Sequence, residues 1–216
     1  LIAGIAVSNF GHQHPHIVNS IKKQIDKHLH VMVFGEYSQE IQNQLAIEFS
    51  KLLPENLNCL YVVNSGTEAN EAALKLAKRA TKRSRIVSFK GAYHGSTHGS
   101  LSVSGNEEKK SAFRPLLPDV FHLPFNDIDA LDFIDKRVAG VIIEPIQGDA
   151  GVRIPSKEFL KNNSIDNSTK IIDLSEDYRL ENHINTERNF IYGLPELQKE
   201  KIKQTNNISN PVYPED

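Results

Sequence analysis

Residues 1–161 alternate short apolar runs with stretches whose apolar residues recur at helical spacing, and this alternation limits the fold more than any other feature. Arg85-Ile86-Val87-Ser88-Phe89 and Val141-Ile142-Ile143 read as buried strands, and so does Cys59-Leu60-Tyr61-Val62-Val63. Between and before them lie amphipathic patterns. Ile17, Ile21, Ile25 and Leu29 recur every four residues. Ile41, Leu45, Phe49 and Leu52 mark a second helix over about residues 39–53, closed by Pro54. Ala72, Ala73, Leu74, Leu76 and Ala77 mark a third, with Lys75, Lys78 and Arg79 opposite, running to about Ala80. Strand and helix in alternation predict an α/β fold: a largely parallel sheet covered by helices. Residues 105–125, with Pro115, Pro118 and Pro124, read as loop, and Ile128 to Lys136 as a short helix.

The turn between the Cys59–Val63 run and the third helix is Asn64-Ser65-Gly66-Thr67-Glu68. Ser65 and Glu68 have the spacing of a capping box. The first-turn amides of such a helix have no acceptor within it and form a natural seat for a phosphate. Two further stretches carry polar groups at strand ends. Lys90-Gly91-Ala92-Tyr93-His94-Gly95-Ser96-Thr97 follows the Arg85–Phe89 run. Glu144 closes the Val141–Ile143 run and leads into the turn Gln147-Gly148-Asp149-Ala150-Gly151. In open α/β sheets, ligands bind at the C-terminal ends of strands.

Histidines invite a metal reading at two places. His12, His14 and His16 alternate, but Gly11 and Pro15 break a regular strand there, and a loop feeding a helix fits better. His94 and His98 are four apart, but Gly95 and Gly99 argue against a helix that would place them on one face. No metal site is predicted. The net charge of −2 implies neither a nucleic-acid partner nor an anionic membrane. The single cysteine, Cys59, excludes an intramolecular disulfide and suits a reducing compartment. No run approaches membrane-spanning length. The chain opens inside an apolar run without methionine, which suggests an N-terminal truncation.

Four stretches together resemble the class III aminotransferases, pyridoxal-phosphate enzymes of fold type I, and most closely the acetylornithine/ornithine type. They are Asn9-Phe10-Gly11-His12-Gln13-His14-Pro15, Asn64 to Glu71, Phe89 to Gly95, and Glu144 to Gly151, in the family's order and spacing. The resemblance covers residues 1–161 and implies a truncated segment of the large domain. It implies that Ser65, Gly66 and Thr67 hold the phosphate of pyridoxal 5′-phosphate, through backbone amides and a hydroxyl. Tyr93 would stack on the pyridine ring, and His94 and Gly95 would shape its loop. Glu144 and Asp149 would lie near cofactor and substrate. The family more often has glutamate at position 149, and many acetylornithine-type members have arginine at position 96, where this chain has serine. The implied partners are a small-molecule amino donor and a 2-oxo acid. A homodimer, a cytoplasmic location and a place in arginine biosynthesis are implied as well.

Beyond Lys161 the resemblance stops. Family members continue with a strand carrying an aspartate that pairs with the pyridine nitrogen, then with the lysine that forms the Schiff base; no matching segment follows here. The chain as given is therefore expected not to transaminate. Residues 162–169 are polar and read as a linker, and the charge turns from slightly positive before it to negative after it. Residues 170–216 form a short α/β tail that resembles a fragment of N-acetyl-gamma-glutamyl-phosphate reductase. Its carriers are Ile171 to Leu180, Tyr192 to Leu197, and Asn210-Pro211. That family follows Asn-Pro with Gly-Cys, whose cysteine is the nucleophile; Val212-Tyr213 stands here, so a reductase activity is not expected. The remaining alternative is a non-catalytic chimeric fragment. A strand over Lys170–Ser175 and a basic helix over Gln198–Lys203 complete the reading of the tail.

Overall fold

The computed structural model describes residues 10–30, 38–52, 59–144, 146–161, 170–173, 190–192 and 207–209. The segment 31–37, the linker 162–169 and the Gln198–Lys203 helix lie outside these residues. The chain divides into two units, 1–48 with 213–216, and 49–212.

In the first unit, helix α1 spans Pro15–Lys27. His14 is its N-cap residue and Pro15 opens its first turn, where a missing N–H has no consequence. A loop therefore feeds a helix here, and His12, His14 and His16 do not share a strand face. Helix α2, Glu40–Lys51, starts in this unit and crosses into the next. Both helices form where the apolar spacing predicts them. Their apolar stripes are nevertheless open: Ile17, Ile21, Ile25, Ile41 and Leu45 are all exposed among the described residues.

The second unit is built on a sheet. Its strands are β1 (Arg85–Phe89), β2 (Val120–Leu123), β3 (Val138–Ile143), β4 (Lys170–Asp173), β5 (Phe190–Tyr192) and β6 (Asn207–Ser209). They lie in the order β2-β1-β3-β4-β6-β5, and every pairing is parallel. β4 joins β3 with Gly140 opposite Lys170 and Ile143 opposite Asp173. Helix α3 (Gly66–Thr81) and the short helix α4 (His98–Val103) pack beside β1 and β3.

Parallel strands covered on both faces are apolar nearly throughout, as β1 and β3 are. Their side chains divide between two cores, by alternation in β1 and across a register shift in β3 between Val138 and Gly140. Ile86, Ala139 and Ile142 join Ala73, Leu74 and Ala77 of α3 and Val103 of α4 in one core. Val87, Phe89, Val138 and Val141 join Leu123, Phe125, Leu131, Ile134 and Phe159 in the other. Phe89, Phe125 and Phe159 meet edge-on there, at centroid separations of 5.6–6.2 Å.

Three expectations are corrected. Cys59–Val63 is not a strand: it is irregular, and Tyr61 and Val62 are exposed. An apolar run becomes a strand only with a ladder partner, and this one pairs with no described strand. Residues 105–125 are not all loop. They hold α5 (Glu107–Lys110), a 3-10 turn over Ser111–Phe113, and β2, whose four residues pair with β1 between flanking prolines. His94 and His98 do not share a helix, in line with the expectation; α4 begins only at His98, with Gly99 inside it. The helix candidate at Ile128–Lys136 is a 3-10 helix over Asp129–Phe133.

Candidate active site

The site is assembled at the C-terminal ends of β1 and β3 and at the N-terminus of α3. Ser65 caps α3: its hydroxyl oxygen accepts the Glu68 N–H at 3.3 Å. Glu68 returns the bond to the Asn64 N–H, at 2.7 Å. The capping box is present, with its return bond one residue earlier than the simplest pattern. The amides of Gly66 and Thr67 then stand in the first turn, without intrahelical acceptors.

After β1 the chain turns sharply through Gly91, at φ +85°. A Cβ at Gly91 would lie 3.1 Å from both the Arg153 guanidinium and the Gln147 amide oxygen. Gln147 is buried; its amide donates to the Lys90 carbonyl (3.1 Å) and receives a bond from Arg153 (3.2 Å). This joins the turn carrying Asp149 to the root of the Tyr93 loop. Gly105 clasps the same loop from its far end, donating to the Ala92 carbonyl (2.7 Å) and accepting from Gly91 (3.2 Å).

Within that frame the Tyr93 N–H donates to Glu144 Oε2 at 2.8 Å. Glu144, delivered by the end of β3, thus secures the loop. The Tyr93 ring remains 45% exposed, and its hydroxyl lies 3.5 Å from Ser96 Oγ. His94 is the reverse case: it is 3% exposed. Its backbone is held at both ends, with Ser104 Oγ accepting its N–H (3.0 Å) and Asn70 donating to its carbonyl (2.6 Å). Neither ring nitrogen finds a hydrogen-bond partner among the described residues. Burial, helped by the charge of His122, holds its pKa down at about 3, so the ring is neutral. His94 shapes the loop from below and offers no side-chain atom to the open face.

Gly95 is at φ +117°, and a Cβ there would fall on the Thr67 side chain, 2.6 Å from its Cβ. The glycine lets the Tyr93 loop lie directly on the first turn of α3. A chain of hydroxyls fixes the contact. Thr97 Oγ1 donates to Glu71 Oε1 at 2.5 Å and lies 2.7 Å from Thr67 Oγ1. With the Thr97 proton on Glu71, the Thr67 hydroxyl proton points to Thr97. Glu71 also accepts the N–H groups of Gly99 (2.8 Å) and Ser100 (3.1 Å), the first turn of α4. In this arrangement Thr67 offers an incoming anion its amide, and Ser65, whose oxygen only accepts in the cap, still has its hydroxyl proton to donate.

Asp149 lies across the loop and is paired with Lys109 of α5, Nζ to Oδ2 2.5 Å. The hydrogen bond that Lys109 donates to Asp149 raises the Lys109 pKa, so the ammonium is charged at neutral pH. Its Nζ lies 5.2 Å from the centre of the Tyr93 ring. The structure therefore joins Thr67, Tyr93, Gly95, Glu144 and Asp149 in one locale, with Ser65 and Gly66 in the adjoining turn. Sequence reasoning gave no role to Glu71, Thr97 or Lys109. Glu71 sits in a quoted motif, but its partners come from 26 to 29 residues away. Lys109 sits in residues 105–125, which the sequence reading takes as loop.

A capped helix start, an open aromatic ring and carboxylates that follow parallel strands are thus gathered at one edge of an α/β sheet, the edge where ligands of such sheets bind. The comparisons with known proteins give this arrangement a family. The aminotransferase class-III model matches residues 1–165, and the chain belongs to that family. The chain is 41% identical over 162 residues to acetylornithine aminotransferase of Methanopyrus kandleri, covering 74% of this chain and 41% of that protein. It is 44% identical over 163 residues to a putative [LysW]-aminoadipate semialdehyde/glutamate semialdehyde transaminase of Pyrococcus horikoshii, covering 74% and 43%. Among solved structures it resembles adenosylmethionine-8-amino-7-oxononanoate aminotransferase of Methanocaldococcus jannaschii, with TM-score 0.72 and 27% identity, covering 80% of this chain and 43% of that one. The fold also matches a transaminase from a marine Virgibacillus, with TM-score 0.70 and 23% identity, covering 82% and 45%. The chain spans about two-fifths of the length of the curated relatives it matches. Class-III aminotransferases depend on pyridoxal phosphate. Residues 170–216 lie beyond the family match.

Proposed function

We propose that this site binds pyridoxal 5′-phosphate and belongs to an aminotransferase of amino-acid biosynthesis. Its substrates would be an N-acetylornithine-like or semialdehyde-related amino donor and 2-oxoglutarate. The observation that carries the reading is the Tyr93 loop, held by Glu144 on one side and set on Thr67 through Gly95 on the other. The residues fit the cofactor. The amides of Gly66 and Thr67 and the Ser65 hydroxyl can meet a phosphate, and the half-exposed Tyr93 ring offers a stacking face. Bound there, pyridoxal phosphate supplies an aldehyde that accepts an amino group and a ring that withdraws electrons from the substrate carbon. Glu144 keeps the stacking ring in place through its backbone amide. Asp149 presents a carboxylate at the rim.

The test is a titration of the chain with pyridoxal phosphate, followed by absorbance. Tyr93→Leu and Gly66→Pro should each weaken binding about tenfold, by losing the stacking face and a phosphate-binding amide. Equal affinity in parent and both variants would remove the site from the reading.

The 216-residue chain alone is further proposed to bind the cofactor without turnover. The family match ends at residue 165, and the resemblance read from the sequence does not extend to the family's lysine-bearing region. Borohydride reduction after incubation with pyridoxal phosphate should leave no single lysine labelled in stoichiometric yield. A specifically labelled lysine together with transamination would overturn this part. A homodimer, a cytoplasmic location and a place in arginine biosynthesis complete the proposal. Among the described residues no helix is long and apolar enough to cross a membrane.

A further inference from the structure

The residues on either side of Tyr93 hang from one clasp, Ser104-Gly105, at the end of α4. Gly105 donates to the Ala92 carbonyl at 2.7 Å, and Ser104 Oγ accepts the His94 N–H at 3.0 Å. The clasp is itself gripped by a buried cation. Lys110 is 5% exposed, and its ammonium donates to the Ser104 carbonyl at 2.9 Å. The same Nζ lies 3.1 Å from His122 Nε2. An ammonium has no acceptor, so in this contact the imidazole is neutral, accepts at Nε2 and carries its proton on Nδ1. His122 belongs to β2 and stands opposite Ser88 of β1. One lysine thus ties the support of the Tyr93 loop to the edge of the sheet.

The charges around the pair leave one group free to titrate in mild acid. Glu107 lies 3.9 Å from Lys110 Nζ and is also paired with Arg114. His122 faces Lys110 from α5 and the carbonyls of Ser102, Val103 and Ser104 from the end of α4. The His94 ring and the Glu107 carboxylate feel its charge as well. Burial, and after it the charge of Lys110, hold the His122 pKa below the ordinary histidine value, against the pull of the α4 carbonyls. His94 stays neutral down to about pH 3. Lys110 and Arg114 keep their charges throughout the acid range.

We propose that Lys110 is a positioning residue of this site: by bridging the Ser104 carbonyl and the His122 imidazole it fixes the clasp that sets Tyr93, and protonation of His122 opens the bridge. A proton taken from solvent at Nε2 replaces the acceptor with a donor and puts two cations face to face. The ammonium then cannot hold both partners, and the clasp loses its tie to β2. Glu144 still holds the Tyr93 N–H, so the loop loosens on the His94 side. The link to cofactor binding rests on the reading of Tyr93 as the stacking face.

The test follows amide hydrogen exchange and pyridoxal phosphate affinity in the full chain at pH 8 and pH 5, each variant compared with the parent at the same pH. Lys110→Met keeps the length of the side chain and removes the donor. It should speed exchange at the His94 and Gly105 amides about fivefold at pH 8 and weaken the cofactor by a similar factor. Exchange at Ile86 and Val87 of β1 should not change, as it would in a general loss of stability. His122→Gln keeps an acceptor and takes no proton. Its loss of affinity between pH 8 and pH 5 should be about fivefold smaller than the parent's, and the titration of the cofactor's own phosphate cancels in that comparison. Parent-like exchange at His94 and Gly105 in Lys110→Met overturns the inference, and so does an acid-side loss in His122→Gln equal to the parent's. Exchange needs no cofactor: a parent chain that fails to bind pyridoxal phosphate removes the cofactor reading, and the exchange data still decide the bridge.

Discussion

His94 shows how one buried side chain makes the fold sensitive to acid. Its pKa lies at about 3 in the folded chain and near 6.5 when exposed, so the unfolded chain binds the extra proton between those values. Stability from this residue is therefore complete above pH 6.5 and declines as the pH falls toward 3, by about 1.4 kcal/mol per pH unit. His122, whose pKa is lowered by burial and by Lys110, adds to the same trend. His94→Leu should flatten the fall between pH 7 and pH 5 in urea unfolding. At pH 7 it should leave stability unchanged or raise it by about 1 kcal/mol, because it removes two buried ring nitrogens that lack partners. An unaltered pH slope in the variant would refute this assignment. Gly95 is the opposite case, a position where an added atom is harmful. Gly95→Ala places a methyl group on Thr67 at a positive φ, and should cost about 1–3 kcal/mol in thermal unfolding. It should also weaken pyridoxal phosphate by moving the loop off the α3 turn.

At the scale of elements, Glu71 acts as the joint between α3 and α4. One carboxylate oxygen accepts from Thr97 and from two first-turn amides of α4, while the residue itself belongs to α3. Gly99 is required there because a Cβ would overlap that carboxylate. Glu71→Ala should destabilise the chain by about 1–3 kcal/mol and expose the α4 amides to hydrogen exchange, whereas Glu71→Gln, which keeps an acceptor oxygen, should cost less. Equal losses in the two variants would show that volume, not hydrogen bonding, matters at this joint. The sequence makes part of this level plain. The helix start at Ser65, the strand at Arg85–Phe89 and the carboxylate after Ile143 all follow from local pattern and capping chemistry. What stays hidden depends on partners far along the chain. Cys59–Val63 has the composition of a strand without a ladder to join, and Val120–Leu123 becomes one because β1 offers an open edge. Gly99 reads as a helix breaker until the Glu71 carboxylate is placed beside it.

For the whole molecule, the parallel sheet foreseen from the alternation is present, and three of the four family motifs, Asn64 to Glu71, Phe89 to Gly95 and Glu144 to Gly151, lie at the α3 helix start and at the ends of β1 and β3. Periodicity also located α1 and α2, but could not say what covers them, since an apolar stripe states a need for burial without naming the surface that meets it. With Ile17, Ile21, Ile25, Ile41 and Leu45 open, the proposed homodimer predicts sedimentation as two chains. Ile21→Glu with Ile25→Glu should then shift the chain toward the monomer, and a parent that sediments as one chain at high concentration would contradict it. The hydroxyl relay of Thr67, Thr97 and Glu71 has a thermodynamic corollary. It draws together residues 26 to 30 positions apart, so the Tyr93 loop is set on the proposed phosphate seat only when α3, that loop and α4 have all assembled. A ligand held there has no counterpart in the unfolded chain, which makes cofactor affinity a gauge of folding. Pyridoxal phosphate at about a hundred times its dissociation constant should raise the unfolding free energy by roughly 2.7 kcal/mol. A variant that frays α4 should reveal itself as weakened cofactor binding even where it touches no atom of the cofactor.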